Sequence, residues 1–507
     1  MEQVELNSLE QDASEVLRLV RSIKNSLTPI SRIPPEILSL IPDHYDKYRA
    51  DQNLITLTHV CHTWRVALTS RSSLWTNLDF MNVDKTRTYI QRSKSSPLSI
   101  FVDGDDESDA YFHEPFILAT PHIRRLKSLK IRGDFLPLAL ENFNGHAPLL
   151  ERLDIGIIAA VTPTLDSTLF NGDLSSLREL SLRGVVTPLP WTNLPNLTTF
   201  ELARCPPGPN FITQLLNTFE CAPLLHTIVL EHSIPASSDA PPGRIVYLPR
   251  LKTFDITAES EHVILLNHLR IPIRVSLTLR LSSDGTTTPL QELLLETFAN
   301  LINHSDVTAI HILLDEMHKY VRLSGLSGGL NVLIHRRNHS VSRRSFDRRI
   351  LRSISPYFLS TTQKLVVSEY DPPELAHVET FTLFRTLSHM NKLRTIVLNN
   401  CHNLPFILSL NPERNPSRLV LCPDLGALVL YIASQDQFHV RDLLTMTKER
   451  ALRGAKLASI MIVGPDGLSL AEGILSLKEH VTRVDYTVDN TLPEWNRLPH
   501  EYAEGVK

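Results

Sequence analysis

The chain has 507 residues, of which 42% are hydrophobic and 7% aromatic, a composition typical of folded globular proteins. Its 51 basic and 55 acidic residues nearly balance, which argues against a protein that binds nucleic acid or a membrane surface through net charge. The five cysteines lack metal-ligand spacing, so we expect a reducing compartment, the cytoplasm or the nucleus, and no zinc. No stretch predicts a signal peptide or a membrane span. The length exceeds that of one compact core, so several domains or a repeat array are expected.

Residues 1–29 predict an amphipathic helix. Its apolar residues recur at helical spacing until Pro29 ends the pattern. They are Val16, Leu19, Val20, Ile23 and Leu27. The run is short for a coiled coil, so we expect this helix to pack beside the segment that follows.

Residues 30–80 predict short helices with apolar faces. Pro34 and Pro35 suit the first turn of a helix, and Ile37, Leu38 and Ile41 then share one side of it. A second helical stripe follows, made of Leu54, Leu57, Val60, Cys61 and Trp64. Helices this short bury little area on their own, so their remaining apolar surface is expected to meet a partner.

This segment resembles an F-box. The residues that carry the resemblance are Ile33 to Leu38, Leu54, Leu57, the run Val60 to Arg65 and the pair Leu74-Trp75. It is similar in particular to the F-boxes of large mushroom-fungus (basidiomycete) families, which run directly into leucine-rich repeats. The resemblance implies a small all-α module that docks on the Skp adaptor and, through it, on cullin. The adaptor-binding residues that it implies are Pro34, Pro35, Ile37, Leu38, Ile41, Leu54, Leu57, Val60, Cys61, Trp64 and Trp75. Some of them are expected to hold the F-box to the first repeat instead, Trp75 foremost, because it also begins a strand-like segment.

Residues 81–507 repeat one pattern, Leu-x-x-Leu-x-Leu, in which Ile, Val or Phe can replace Leu. Its copies begin at Leu126, Leu150, Leu177, Leu197, Leu225, Leu251, Val307, Leu393, Leu425, Leu457 and Val481. Weaker copies begin at Leu78, Leu98, Leu277, Leu330 and Leu365. A proline often stands two residues before the first leucine and ends the preceding segment, at Pro148, Pro195, Pro223, Pro249 and Pro423. A period of roughly 20 to 30 residues with alternating apolar positions is that of leucine-rich repeats. We therefore predict an α/β protein, an all-α F-box followed by a solenoid with a curved parallel sheet and helices or irregular segments on its convex side.

The residues between the repeated apolar positions predict the concave face. Early copies present charged or hydroxyl side chains, among them Ser128, Lys130, Arg152, Asp154 and Glu179. Later copies present apolar ones, among them Val429, Tyr431, Met461 and Val463. Because exposed apolar surface usually meets a partner, this later face is a candidate target-binding surface. The alternative is that another segment of the chain covers it.

Residues 335–352 contain seven arginines and one aspartate. We interpret them as a solvated loop inserted between two repeats. Alternatively, Arg343 and Arg344 bind an acidic or phosphorylated motif of the target, or the run is a nuclear localisation signal.

No motif predicts catalysis, a cofactor or a metal site, and the acidic run Asp103 to Asp109 lacks the glycine that a calcium loop requires at its sixth position. The predicted function is that of a substrate-recognition subunit of a Skp–cullin–F-box (SCF) ubiquitin ligase. Such a subunit is not an enzyme, and it binds the adaptor and a protein target rather than nucleic acid or membrane. The alternative is a leucine-rich-repeat scaffold with a degenerate F-box, which the long segment Pro42 to Asn53 motivates.

Overall fold

The structure is a computed structural model in which the chain divides into two compact units. The first contains Met1–Pro188 and Asn193–Leu197, and the second contains Leu189–Thr192 and Thr198–Lys507. The described residues are 2–44, 50–80, 82–103, 110–133, 139, 141–157, 162–165, 169–172, 174–187, 193–235, 237–272, 275–283, 307–314, 318–325, 329–336, 356–369, 380–399, 403–415, 418–432, 439–464 and 471–488.

Helices dominate the first hundred residues, and among the described residues they alternate regularly with strands from residue 356 onward. The α-helices are α1 (Glu2–Ser26), α2 (Pro35–Leu40), α3 (Ala50–Thr58), α4 (His62–Ser70), α5 (Val83–Ser93), α6 (Ala110–Ala119), α7 (Phe211–Glu220), α8 (Pro356–Thr361), α9 (Thr380–Ser388), α10 (Asn403–Leu410), α11 (Val440–Leu452) and α12 (Ala471–His480). Short 3-10 helices at Pro29–Arg32, Ile41–His44 and Ser72–Trp75 connect or extend the first four.

The strands follow the repeated apolar pattern. They are β1 (Asn77–Leu78), β2 (Leu98–Asp103), β3 (Leu126–Arg132), β4 (Arg152–Gly156), β5 (Glu179–Arg183), β6 (Thr199–Ala203), β7 (Thr227–Glu231), β8 (Val246–Tyr247), β9 (Thr253–Glu259), β10 (Leu269–Arg270), β11 (Ser276–Ser283), β12 (Val307–Leu314), β13 (His318–Gly325), β14 (Gly329–Arg336), β15 (Lys364–Glu369), β16 (Thr395–Asn399), β17 (Ala427–Tyr431), β18 (Ser459–Gly464) and β19 (Arg483–Val488). Every predicted copy, strong or weak, contributes one of them. The expectation of an α/β fold with parallel strands is therefore confirmed.

In the first unit, β1 to β5 pair in chain order and are parallel. The register aligns equivalent positions, so that Leu129, Leu153 and Leu180 lie side by side across three strands. All three are buried. Because side chains alternate along a strand, this register sends the repeated apolar residues into the core and the intervening residues to the opposite face of the sheet.

The same tight turn introduces seven of the described strands, and the prolines of the pattern lie in it. The amide of Leu150 donates a hydrogen bond of 3.0 Å to the carbonyl of Ala147, and the amide of Leu425 donates one of 3.0 Å to the carbonyl of Cys422. These bonds span four residues, with proline at the second position, where its fixed φ suits a reverse turn. The same bond recurs before β5, β6, β7, β9 and β16.

In the second unit, β6, β7, β9 and β11 are parallel neighbours, and β15 to β19 form a second parallel series. Between these series the prediction of a wholly parallel sheet is wrong, because β13 pairs antiparallel with both β12 and β14. The connections at residues 315–317 and 326–328 are too short for a parallel crossover, which needs a dozen or more residues. The outer strands of this meander pair parallel with β15 and β11.

The expected packing of the amino-terminal helix is also wrong. Helix α1 forms as predicted, but every side chain from residue 6 to residue 25 is exposed, the apolar ones included. The stripe read from the sequence therefore lies open along α1 instead of packing on the helices that follow.

Candidate functional site

Helices α2, α3 and α4 form a small helical module, defined here as residues 30–75. Helix α2 begins at Pro35 and has Pro34, in an extended conformation, as its N-cap. Proline suits the first helical position, here Pro35, because its missing N–H would have no partner in the first turn of a helix. Helix α4 begins at His62, directly after the extended Cys61.

Two arginines of the module link its helices. The guanidinium of Arg71 donates to the carbonyl of Ser39 at the end of α2, and Nε of Arg65 donates to the carbonyl of Thr58, 3.0 Å away, at the end of α3. The last carbonyls of a helix lack partners inside it and carry partial negative charge, so a cation is favourable there. Both arginines come from α4 or its end, which therefore holds α2 and α3.

The interior of the module is filled by residues of this chain. Leu38 of α2, Leu54 of α3 and Trp64 of α4 are all buried. These residues are among the predicted adaptor-binding positions, but they present almost no side-chain surface. They hold the helices of the module in place.

Trp75 is also fully buried, and its contacts are with the segments on either side of it. Its indole N–H donates to the carbonyl of Leu68 at 3.0 Å. The ring of Tyr89 meets it edge to face with 5.0 Å between centroids, and the guanidinium of Arg92 lies 4.3 Å from its centre. Trp75 thus joins the end of α4 to α5, ahead of the first paired strands.

The remaining predicted adaptor-binding residues lie at the surface of the module. Ile37 and Val60 are 51% and 52% exposed. Pro34 and Pro35 are exposed too, while Ile41, Leu57 and Cys61 are half-buried.

Four further exposed aliphatic residues of the module were missed by the sequence reasoning, namely Ile30, Leu40, Ile55 and Val66. Leu40 could have been found from its spacing, because it lies three residues after Ile37 on the same side of α2. Ile55 and Val66 lie away from the inward apolar stripes of α3 and α4. Helical periodicity therefore placed them outside the predicted set of adaptor-binding residues.

The outer face of the first-unit sheet carries charges that pair across strands. Lys130 of β3 lies 3.3 Å from Asp154 of β4, and Arg152 of β4 lies 3.2 Å from Glu179 of β5. The Lys130 ammonium is also 5.3 Å from the ring centre of the exposed Phe101. Because these partly exposed pairs satisfy one another, this face offers a patterned polar surface rather than a field of one sign.

The predicted apolar face of the second unit is covered over part of its length. Val366, Val397, Val429 and Met461 lie side by side in register across β15 to β18. The first two are buried, Val429 is half-buried and Met461 is 38% exposed.

In the next row, Tyr431 pairs in register with Val463. Tyr431 is half-buried, and Val463 is buried and offers no surface. The accessible apolar part of the face is therefore the end around Val429 and Met461.

The arginine-rich segment and the acidic run provide no site among the described residues. Arg343 and Arg344 lie outside the described residues, and so does most of the acidic run that begins at Asp103. Within the described ranges, no group of three or more His, Cys, Asp or Glu side chains could hold a metal ion. None of the helices described combines the length and the apolar composition needed to cross a membrane.

Titratable groups with shifted pKa values are structural. Arg125 donates to the hydroxyl of Ser93 at 2.9 Å and to carbonyls at the end of α5, and burial lowers its pKa. Burial and then the charge of Arg125 lower the pKa of His122. Burial raises the pKa of the Cys422 thiol to about 12, against the smaller effect of Arg450 beside it. Arg125 and Arg450 hold the ends of a helix and a turn, and the contacts described for these groups form no nucleophile–base constellation.

Neither family models nor curated proteins match this chain. Its function is therefore argued from the helical module and the two strand faces.

Proposed function

We propose that this chain is a substrate-recognition subunit of a Skp–cullin–F-box ubiquitin ligase. In this proposal residues 30–80 are the F-box that docks on the Skp adaptor, and residues 81–507 are a leucine-rich-repeat solenoid that holds the target. The observation that carries the proposal is the surface of the helical module, whose interior is already filled and which still exposes aliphatic side chains.

The energetics of this surface favour an apolar partner. Ile37 and Leu40 lie on one side of α2, with the half-buried Ile41 beside them. Covering a wholly exposed aliphatic side chain contributes about 1.5 to 3 kcal/mol, and Ile37 and Leu40 still expose about half of their area. Several such residues together supply interface energy on the scale of measured hot spots. An adaptor with an apolar groove is the complementary partner.

Such a protein performs no bond chemistry. It raises the local concentration of target lysines beside a ubiquitin-carrying enzyme held elsewhere in the complex. The near-neutral charge and the lack of metal-ligand spacing among the cysteines support a site of action in the cytoplasm or nucleus, with no nucleic-acid or membrane partner.

The target is assigned to the strand faces. Val429 and Met461 supply an apolar contact, since they lie opposite each other on neighbouring strands and keep accessible surface.

Adaptor binding is tested with the full chain and purified Skp adaptor by biolayer interferometry. Ile37→Asp places a carboxylate in the proposed interface and should weaken binding at least about 30-fold, which corresponds to a hot spot of roughly 2 kcal/mol. Leu475→Asp is the matched control, because Leu475 is an equally aliphatic, exposed residue of α12 in the other unit. Thermal unfolding of both variants should match that of the unsubstituted chain.

If the unsubstituted chain does not bind the adaptor, the ligase assignment is wrong and the scaffold with a degenerate F-box takes its place. If it binds and Ile37→Asp binds equally well, the docking surface has been assigned to the wrong face of the module.

Target binding is tested by comparing proteins that co-purify with the full chain and with its Met461→Asp variant. The variant should lose a defined set of partners while it retains the adaptor. Leu452→Asp, which changes an exposed leucine on helix α11, should leave that set unchanged. An unaltered set with Met461→Asp would reject the apolar face as the target site.

A further inference from the structure

Helix α1 carries an apolar stripe with the spacing of a coiled coil. Its positions alternate in steps of three and four: Leu6, Leu9, Ala13, Val16, Val20, Ile23 and Leu27. The seven positions of a coiled-coil heptad are labelled a to g, and positions a and d form its core. Across three heptads, every a and d position of this stripe is apolar. A strict repeat of seven, rather than the looser stripe of a helix that packs on a globular core, is the pattern of two helices that supercoil around each other.

The structure leaves this stripe uncovered. Leu9 and Val16 are 64% and 60% exposed, and Leu6 and Val20 are exposed to a similar extent. Charged or polar residues occupy most of the other faces of α1. An exposed apolar strip of this length on a folded protein indicates an interface.

The order of side-chain sizes makes the stripe self-complementary in one orientation. When two copies of α1 run antiparallel with their centres aligned, Leu6 lies opposite Ile23 of the second copy, and Leu9 lies opposite its Val20. The smallest residue, Ala13, then meets Val16. The large pairs lie toward both ends and the small pair in the middle, whereas a parallel pair would place Ala13 opposite Ala13 and leave that core layer underfilled.

Charge selects the same orientation. Between residues 6 and 15 the helix carries Glu10, Asp12 and Glu15 and no basic residue. Between residues 16 and 25 it carries three basic residues, Arg18, Arg21 and Lys24, and no acidic one. An antiparallel pair places the acidic half of each helix beside the basic half of the other, whereas a parallel pair places like charges together. The dipoles of antiparallel helices also oppose each other favourably.

We propose that α1 pairs with α1 of a second copy of this chain as an antiparallel two-stranded coiled coil. The pairing is independent of the proposed adaptor and target surfaces, since it uses no residue of either.

Light scattering coupled to gel filtration tests the pairing with the full chain at about 10 µM, a concentration well above typical dissociation constants of stable dimers. The expected mass is twice 57.3 kDa. Val16→Asp combined with Val20→Asp should reduce it to 57.3 kDa. Gln11→Asp combined with Ser14→Asp adds the same charge on the outer side of the helix and should leave the dimer intact.

A monomeric unsubstituted chain would overturn the proposal, and so would a dimer that survives the two substitutions in the stripe. Orientation is tested by mixing chains that carry Leu9→Cys with chains that carry Val20→Cys under mild oxidation. The antiparallel pair predicts disulfides that join one type of chain to the other, identified by peptide mass. Disulfides formed mainly between two L9C chains would establish a parallel pair and overturn the inference.

Discussion

Arg450 holds the start of the turn that leads into β17, and its replacement by methionine tests how this series of strands is secured. The side chain is fully buried, and its guanidinium donates to the carbonyls of Leu421 at 2.7 Å and Cys422 at 2.9 Å. Cys422 has a φ of 49°, a left-handed conformation that costs a residue other than glycine about 1 kcal/mol. The arginine of α11 therefore stabilises a strained turn from the helix that follows the strand.

The magnitude follows from what each carbonyl loses. The Cys422 carbonyl keeps the hydrogen bond that it accepts from the amide of Leu425, so its loss is small. The Leu421 carbonyl loses a charge-assisted bond, and leaving such a buried group without a donor costs about 1 to 3 kcal/mol. Removing the buried cation offsets part of this loss of stability, because burial lowers the pKa of Arg450 and so disfavours its charged form. We expect a net loss of about 2 kcal/mol of local stability.

Hydrogen exchange measured by mass spectrometry is the appropriate assay, since it reports opening of this region without requiring two-state unfolding of the whole chain. In Arg450→Met, peptides that cover residues 418–432 should exchange about 30-fold faster, the factor that corresponds to 2 kcal/mol. Arg441→Met, at an exposed position of the same helix, is the control and should change little. If the peptides of the Arg450 variant exchange within about threefold of the unsubstituted chain, which corresponds to 0.7 kcal/mol or less, the arginine does not hold the turn.

Three further predictions concern single residues. Gly184→Ala should lower the thermal midpoint far more than Gly243→Ala. Both glycines have positive φ, but a Cβ at Gly184 would collide with a backbone carbonyl, whereas the space at Gly243 is open. Equal losses in the two variants would contradict this prediction. At pH 8 iodoacetamide should alkylate the half-buried Cys61 and leave Cys422 unmodified in the folded chain, because burial raises the pKa of Cys422 to about 12; rapid labelling of Cys422 would refute the assignment. His122 has a lowered pKa in the folded chain, so the unfolded chain binds more protons and stability falls as pH drops below about 6.5. His122→Gln should remove that part of the pH dependence of the urea midpoint, and an unchanged slope between pH 7 and 5 would contradict the prediction.

The strands could be read from the sequence because each of them depends on local information. Leu177, Leu180 and Leu182 are all completely buried, as the pattern Leu-x-x-Leu-x-Leu requires. In a stack of parallel strands each strand contacts mainly its neighbours, so a short pattern contains nearly all the information that fixes its burial. The pattern failed between residues 307 and 336, where direction matters as well as burial. The run from Ser324 to Gly329 is rich in glycine, and a short connection with glycine between two strand-like segments is the sign of a hairpin, which the repeat pattern does not take into account.

The surface that covers each helix was harder to predict than the helices themselves, for a physical reason. An apolar stripe records that a helix must lose contact with water on one side, but it does not record which surface covers that side. The stripe of α1 was assigned to this chain and lies exposed, and the stripes of α2 to α4 were assigned to a partner although Leu38 and Trp64 are inside the module. Only the angular distribution of apolar residues around a helix distinguishes a face covered by the chain itself from a face left for a partner. Helices α2 and α4, with six and nine residues, are too short to define that distribution.

The division of the module into an inner and an outer apolar set determines how a partner could use it. Leu54 and Trp64 fill the space between the helices, and Arg65 and Arg71 fix the helix ends, so the exposed Ile37 and Val60 are held on a rigid frame before any partner arrives. Preorganisation of this kind reduces the side-chain and backbone entropy that binding must remove. A module of this size would otherwise lose much of the energy of a small apolar contact to the ordering of its own helices. The buried residues therefore maintain the frame, while the outer set is the surface that the proposed adaptor would contact.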